Sequence, residues 1–237
     1  MKGMKKAFLV MLPLCGAVSA EAQINVQLHY DMGKYAYGND GDLKARPQLT
    51  STVEMFRPDK YGSTFFFVDM DYTPDGVNMA YWEVSRDLKF WDAPISAHIE
   101  YNGGLNTFGS FDNSFLVGPN YTWNNEEYTS GFSLSAMYKY IHSDGPRNNF
   151  QITGTWYVNF AGNKCSFTGF VDFWKEKTRF GGDYVFMSEP QFWVNLGAFE
   201  NISDKCNLSI GTEVELSTDF ARNGFAAIPT VGAKWTF

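Results

Sequence analysis

From Ile24 to Met32 apolar and polar residues alternate without a break: Ile24, Val26, Leu28, Tyr30 and Met32 are separated by Asn25, Gln27, His29 and Asp31. A period of two marks an extended strand whose two faces see different surroundings, because successive side chains leave a pleated chain on opposite sides. The pattern recurs over 95–101, over 150–153 and 156–159, and at Leu208, Ile210, Val214 and Leu216 set against Ser209, Gly211, Glu213 and Glu215. Twelve such segments can be counted, roughly 24–33, 46–57, 63–73, 78–88, 94–103, 113–123, 129–141, 149–160, 165–175, 186–197, 206–218 and 226–237. Turn chemistry separates them: Pro58-Asp59-Lys60-Tyr61-Gly62, Pro74-Asp75-Gly76, Asn124-Asn125-Glu126-Glu127, Ser143-Asp144-Gly145-Pro146 and Ala161-Gly162-Asn163. With no amphipathic-helix pattern and no linker, a single all-β domain over residues 23–237 is expected.

A soluble sandwich alternates too, so the polar face has to decide between the two folds. Its charges stand in the middle of strands: Glu54, Asp69, Asp71, Glu83, His98, Glu100, Lys139, Asp172, Glu189 and Glu213. The segments also reach the roughly 9–11 residues that a tilted membrane strand needs, beyond the usual five or six of a globular sheet. A closed barrel with lipid outside and a polar lumen accommodates both features, and its interfacial girdles use aromatic residues, which make up 18% of the chain. The expected fold is therefore a twelve-stranded antiparallel transmembrane β-barrel of the outer-membrane type. An even strand count puts both termini on the periplasmic side, with 103–113 and 175–186 among the outer loops.

Other classes fall away. No internal stretch of eighteen residues is free of charge, so no helix spans a bilayer. A formal charge of −7 gives nucleic acid no basic face to bind. Lys2, Lys5 and Lys6 precede the short apolar run 7–14, and Ala20-Glu21-Ala22 follows, the three parts of a cleaved signal peptide over residues 1–22. Its removal takes the formal charge to −9. Cys15 follows Leu14, a large residue where a lipidated cysteine is normally preceded by a small one. Cys165 and Cys206 are too few for a disulfide framework and are expected to be free. The chain ends in Phe237, with Trp235 on the same face, an aromatic terminus of the kind that outer-membrane barrels present to their assembly machinery.

Several stretches are similar to one known family. Tyr61-Gly62 with Phe65-Phe66-Phe67-Val68-Asp69, then Tyr81-Trp82-Glu83-Val84-Ser85 and Phe115-Leu116-Val117-Gly118-Pro119, run in that order. Phe167 through Trp174, Glu189-Pro190-Gln191-Phe192 and the stretch from Pro229 to Phe237 follow. Together they resemble the nucleoside-specific channel-forming (Tsx-type) porins, or an uncharacterised branch of that family. The resemblance implies a monomeric barrel with a narrow channel, aromatic rings stacking on the base and polar groups binding the sugar. It carries over to Phe65, Phe67, Asp69, Glu83, Phe170, Asp172 and Gln191 as solute-binding positions; the family's strand-one binding segment has no clear counterpart here.

The residues say something independently. If the apolar set faces lipid, the lumen holds Asp31, Glu54, Asp69, Asp71, Glu83, Glu100, Asp172, Glu189, Glu213 and Glu215 against Lys139 and Lys234, with His29 and His98 near neutral. Such a lining favours cations over anions and speaks against acidic-sugar solutes. The same face carries Phe65, Phe67, Tyr81, Tyr157, Phe170, Trp174 and Trp193, which suit a flat, polar, uncharged solute such as a nucleoside or simply fill the barrel. Enzyme readings are weaker. His142 and Ser143 are adjacent and so point to opposite faces, and the pairs Asp69/Asp71 and Glu213/Glu215 are what a polar lumen supplies by default. No Walker, zinc-ligand or dinucleotide motif occurs, so no cofactor or metal is implied. The expected function is a channel for diffusion of small polar solutes, nucleosides foremost, through a narrow acidic and aromatic lumen. The alternatives are a plugged barrel that binds partners through its outer loops, or a barrel hydrolase.

Overall fold

The computed structural model describes residues 22–237 apart from 39, 45 and 204, so all of the expected signal peptide but its last residue lies outside the described residues. The strands are β1 (Gln23–Asp31), β2 (Leu49–Asp59), β3 (Gly62–Thr73), β4 (Gly76–Leu88), β5 (Ile95–Asn106) and β6 (Asn113–Asn124). They continue with β7 (Ser130–His142), β8 (Asn148–Phe160), β9 (Cys165–Lys175), β10 in two halves (Tyr184–Ser188 and Gln191–Asn195), β11 (Leu208–Thr218) and β12 (Phe225–Thr236). Each pairs antiparallel with its sequence neighbour, and β1 closes on β12 from Asn25↔Thr236 to Asp31↔Thr230. The result is a closed twelve-stranded antiparallel barrel. Closure leaves no sheet edge, so the backbone donors and acceptors of the wall find partners in the wall itself, the condition for crossing lipid.

The two faces are inverted relative to a soluble barrel. On β1 the inward Asn25, Gln27, His29 and Asp31 are 7, 2, 4 and 8% exposed, whereas the outward Leu28 is 47% exposed. Outward rings touch across neighbouring strands, as in Tyr101–Phe115 at 5.3 Å and Tyr121–Phe132 at 5.9 Å between centroids. A water-soluble sheet sends its apolar face to the core; this one shows it to the surroundings, as a lipid-facing wall does.

Three details depart from the simple alternation. β10 is broken at Glu189-Pro190: Val185 and Met187 pair along the far half, Gln191 and Trp193 along the near half, and β9 and β11 bridge the gap. Gly169 on β9 faces the break, and a Cβ there would lie 2.6 Å from the Glu189 carbonyl oxygen and 2.7 Å from the Trp156 ring. The 105–110 stretch forms a small hairpin on the end of β5. Finally, the 32–48 connection holds two short helices, α1 (Gly33–Tyr37) and α2 (Gly41–Lys44), where sequence periodicity indicated none and where strand two was expected to begin at 46. Helices of one turn are too short to show a 3.6-residue pattern. Cys165 opens β9 and Cys206 lies before β11, both free.

Candidate functional site: the lumen and its capped mouth

Strand register puts all seven positions carried over from the family resemblance on the inner face. Glu54 pairs with Phe67, Asp69 with Tyr81, Phe67 with Glu83 and Thr168 with Gln191, and side chains of paired residues share a face. Phe65, Phe67 and Tyr81 form a stripe of rings with successive centroids 6.0 Å apart. Phe170 and Asp172 come from β9, and Thr153 Oγ1 of the neighbouring β8 donates to Asp172. Gln191 Nε2 donates to Glu213, and its Oε1 accepts from Trp193 Nε1 at 2.9 Å. The structure thus brings Phe65, Phe67, Asp69 and Glu83 together on β3–β4 and places Phe170, Asp172 and Gln191 on β9–β10.

The two groups are not remote. Glu83 interacts electrostatically with Asp172 and Lys139, and Glu213 with Asp69, so carboxylates from different parts of the wall act on one another across the interior. The few inward cations are already engaged. Lys139 Nζ donates to Gln151 Oε1 at 2.9 Å and sits 4.8 Å over the Trp174 ring, and Lys234 sits 4.4 Å over Trp193. On β1, His29 lies between Gln27 Oε1 and Thr230 Oγ1, each at 3.0 Å, and meets Trp193 edge-on at 5.6 Å. Small hydroxyls hold the acids in place: Thr50 donates to Asp71 and Thr52 to Asp69.

The mouth opposite the termini carries a cation that the alternation could not reveal. The 32–48 segment folds inward, with Leu43 wholly buried against Ala221, Ala226, Ile228 and Tyr37. Tyr37 Oη accepts from the Ala227 N–H at 2.7 Å, and Asp40 pairs with Arg222 at 3.2 Å. Arg46 then reaches two lumen acids, with Nε 3.1 Å from Asp31 and Nη2 2.8 Å from Glu215. Burial works against its charge, but the Glu215 and Asp31 carboxylates outweigh that and raise the Arg46 pKa above its ordinary value. In the sequence Arg46 reads as the first residue of a strand, with nothing to mark it as lumen-lining. His142, by contrast, ends β7 exposed, and Ser143 Oγ accepts the Gly145 N–H at 3.3 Å within the turn.

A family model described as a domain of unknown function, DUF5020, matches residues 22–237. Among solved structures the KdgM porin superposes with a TM-score of 0.52 at 12% identity, over 91% of this chain and 99% of that one. The NanC porin gives 0.56 at 9% identity, over 90% and 100%. No curated protein matches the chain. At such identities the likeness is one of fold, and it is that of the porin barrel.

Proposed function

As the chain belongs to the DUF5020 family and folds as a porin-like barrel, we propose that it is an outer-membrane channel through which small polar solutes diffuse. One observation carries this reading: the barrel is inside out, with apolar side chains outward and hydrogen-bonding, charged side chains inward along its whole circumference. A wall of that kind is stable only with lipid on one side and a polar interior on the other. The protein is exported, inserts as a monomer with Phe237 presented to the barrel-assembly machinery, and takes lipid as its surroundings.

Nucleosides are the leading solutes. The Phe65–Phe67–Tyr81 stripe offers faces for a flat base, and Asp69, Glu83, Asp172 and Gln191 offer acceptors and a donor for a sugar. Stacking of a base contributes about 1–3 kcal/mol, weak enough for release. A solved complex of the KdgM porin is described with oligogalacturonate. That polyanion does not suit this lumen, where carboxylates outnumber Lys139, Lys234 and Arg46.

The inward-folded 32–48 segment favours one second reading, a barrel plugged at this mouth that acts through its loops. Single-channel conductance of the refolded protein, titrated with a nucleoside and with a neutral sugar, separates the readings. Current reduced by millimolar nucleoside but not by sugar supports the selective channel, and Phe67→Ala should then weaken the block roughly tenfold. Conductance indifferent to nucleoside leaves a general porin. A silent bilayer removes the channel reading in favour of the plug.

A further inference from the structure

The mid-lumen carboxylates Glu83 and Asp172 receive donors from the wall itself. Tyr81 donates to Glu83 Oε1 at 2.6 Å, Thr153 donates to Asp172, and Lys139 is committed to Gln151 and Trp174. Glu100 is the exception. His98 lies between Asp87 Oδ1 and Glu100 Oε2, at 3.0 Å from each, and so anchors the Glu100 carboxylate by one oxygen. The other oxygen, Oε1, is buried without a hydrogen-bond partner among the described residues, and so is Oδ1 of Asn102, two residues along the same inner face. Asn102 is 5% exposed and the Glu100 side chain 9%. A buried acceptor left without a donor costs about 1–3 kcal/mol, and more when it is charged. Two stand together here, beside Glu83, the strand partner of Asn102, and within electrostatic reach of Asp172.

We propose that Glu100 and Asn102, with Glu83 beside them, form a lumen subsite for the ammonium group of a small organic solute. What Glu100 Oε1 and Asn102 Oδ1 lack is donors, because the neighbouring His98 directs its two ring nitrogens to Asp87 and to the other Glu100 oxygen, and an ammonium group supplies several donors on one compact charged head. A metal ion is the poorer occupant, because no group of three or more His, Cys, Asp or Glu converges on a common point among the described residues. Lys139 is held elsewhere and does not fill the vacancy in donors. The subsite rests on the reading of the lumen as a solute path, so its test must not depend on conduction.

Saturation-transfer NMR on the refolded barrel in detergent meets that need, with ethylammonium as the probe and ethanol as the neutral control. Transfer to ethylammonium but not to ethanol is expected. Affinity should fall about tenfold in Glu100→Gln and in Asn102→Leu, the order of one lost hydrogen bond to a charged group. Asn102→Asp adds a carboxylate at the same point and should tighten binding, which keeps the proposal testable if Glu100→Gln fails to refold. No transfer to ethylammonium in the unaltered barrel, or equal affinity in the unaltered and substituted barrels, would overturn it. Conductance of the same preparations tests the channel separately: binding without conductance removes the channel and keeps the subsite, and conductance without binding does the reverse.

Discussion

Arg46 and Glu215 stand 169 residues apart in the chain and meet at 2.8 Å inside one mouth of the barrel. The guanidinium arrives there on a loop, while the carboxylate is part of the wall. Asp31 completes the contact from β1, so a single cation ties the 32–48 segment to both sides of the barrel seam.

Replacing Arg46 with Gln should leave Asp31 and Glu215 facing the mouth without their counter-charge. The expected result is a stronger cation preference, read as a shift of reversal potential in a potassium chloride gradient. Arg46 is partly exposed, but Asp31 and Glu215 are buried and would be left without their cation, so its loss should cost about 3 kcal/mol, nearer a buried pair than a surface one. An unchanged reversal potential would place Arg46 off the conduction path.

Leu43 anchors the same segment by packing alone. Leu43→Ala removes most of a wholly buried side chain, at a cost of about 2–5 kcal/mol where the site does not collapse. Docking of the 32–48 segment should weaken, with faster trypsin cleavage at Lys34 and Lys44 and a larger open-channel current. If cleavage accelerates while current stays constant, the segment does not narrow the path.

Asp69 and Asp172 each accept a hydrogen bond from a threonine on the neighbouring strand, and each faces the interior. Asn at both positions keeps the shape and removes two negative charges. Cation preference should fall, and an unaltered reversal potential in a salt gradient would exclude both residues from the pore lining.

Gly169→Ala tests the broken strand. A Cβ at 169 would meet the Glu189 carbonyl oxygen at 2.6 Å and the Pro190 Cα at 2.9 Å, both backbone atoms with little room to retreat. Overpacking of this kind costs about 1–3 kcal/mol. The fraction that refolds, measured by heat-modifiable gel mobility, should drop; a normal yield would mean that the β9–β10 contact relaxes freely.

The barrel was legible in the chain because its physics is local. Alternation at Ile24 through Asp31 assigns faces two residues at a time, and charges such as Glu83 and Asp172 in mid-strand state which face avoids lipid. The ends of strands blur by a few residues, since pairing continues until a turn residue or a proline stops it, as Pro190 does within β10. The inward direction of Phe65, Phe67, Asp69, Glu83, Phe170, Asp172 and Gln191 follows from the same parity.

What parity cannot reach is who meets whom across the interior. Arg46, Leu43 and Tyr37 sit in a connection without periodicity, and their partners Glu215, Ile228 and Ala227 come near only when β11 and β12 return beside β1. The unpartnered oxygens of Glu100 and Asn102 are likewise invisible in sequence, because whether an acceptor finds a donor depends on how His98 is held and where Lys139 is spent. Alternation together with charges in mid-strand and long strands determined an inside-out barrel; closure of the sheet, which sets long-range neighbours through one shared register, decided which charges face one another and which mouth is capped.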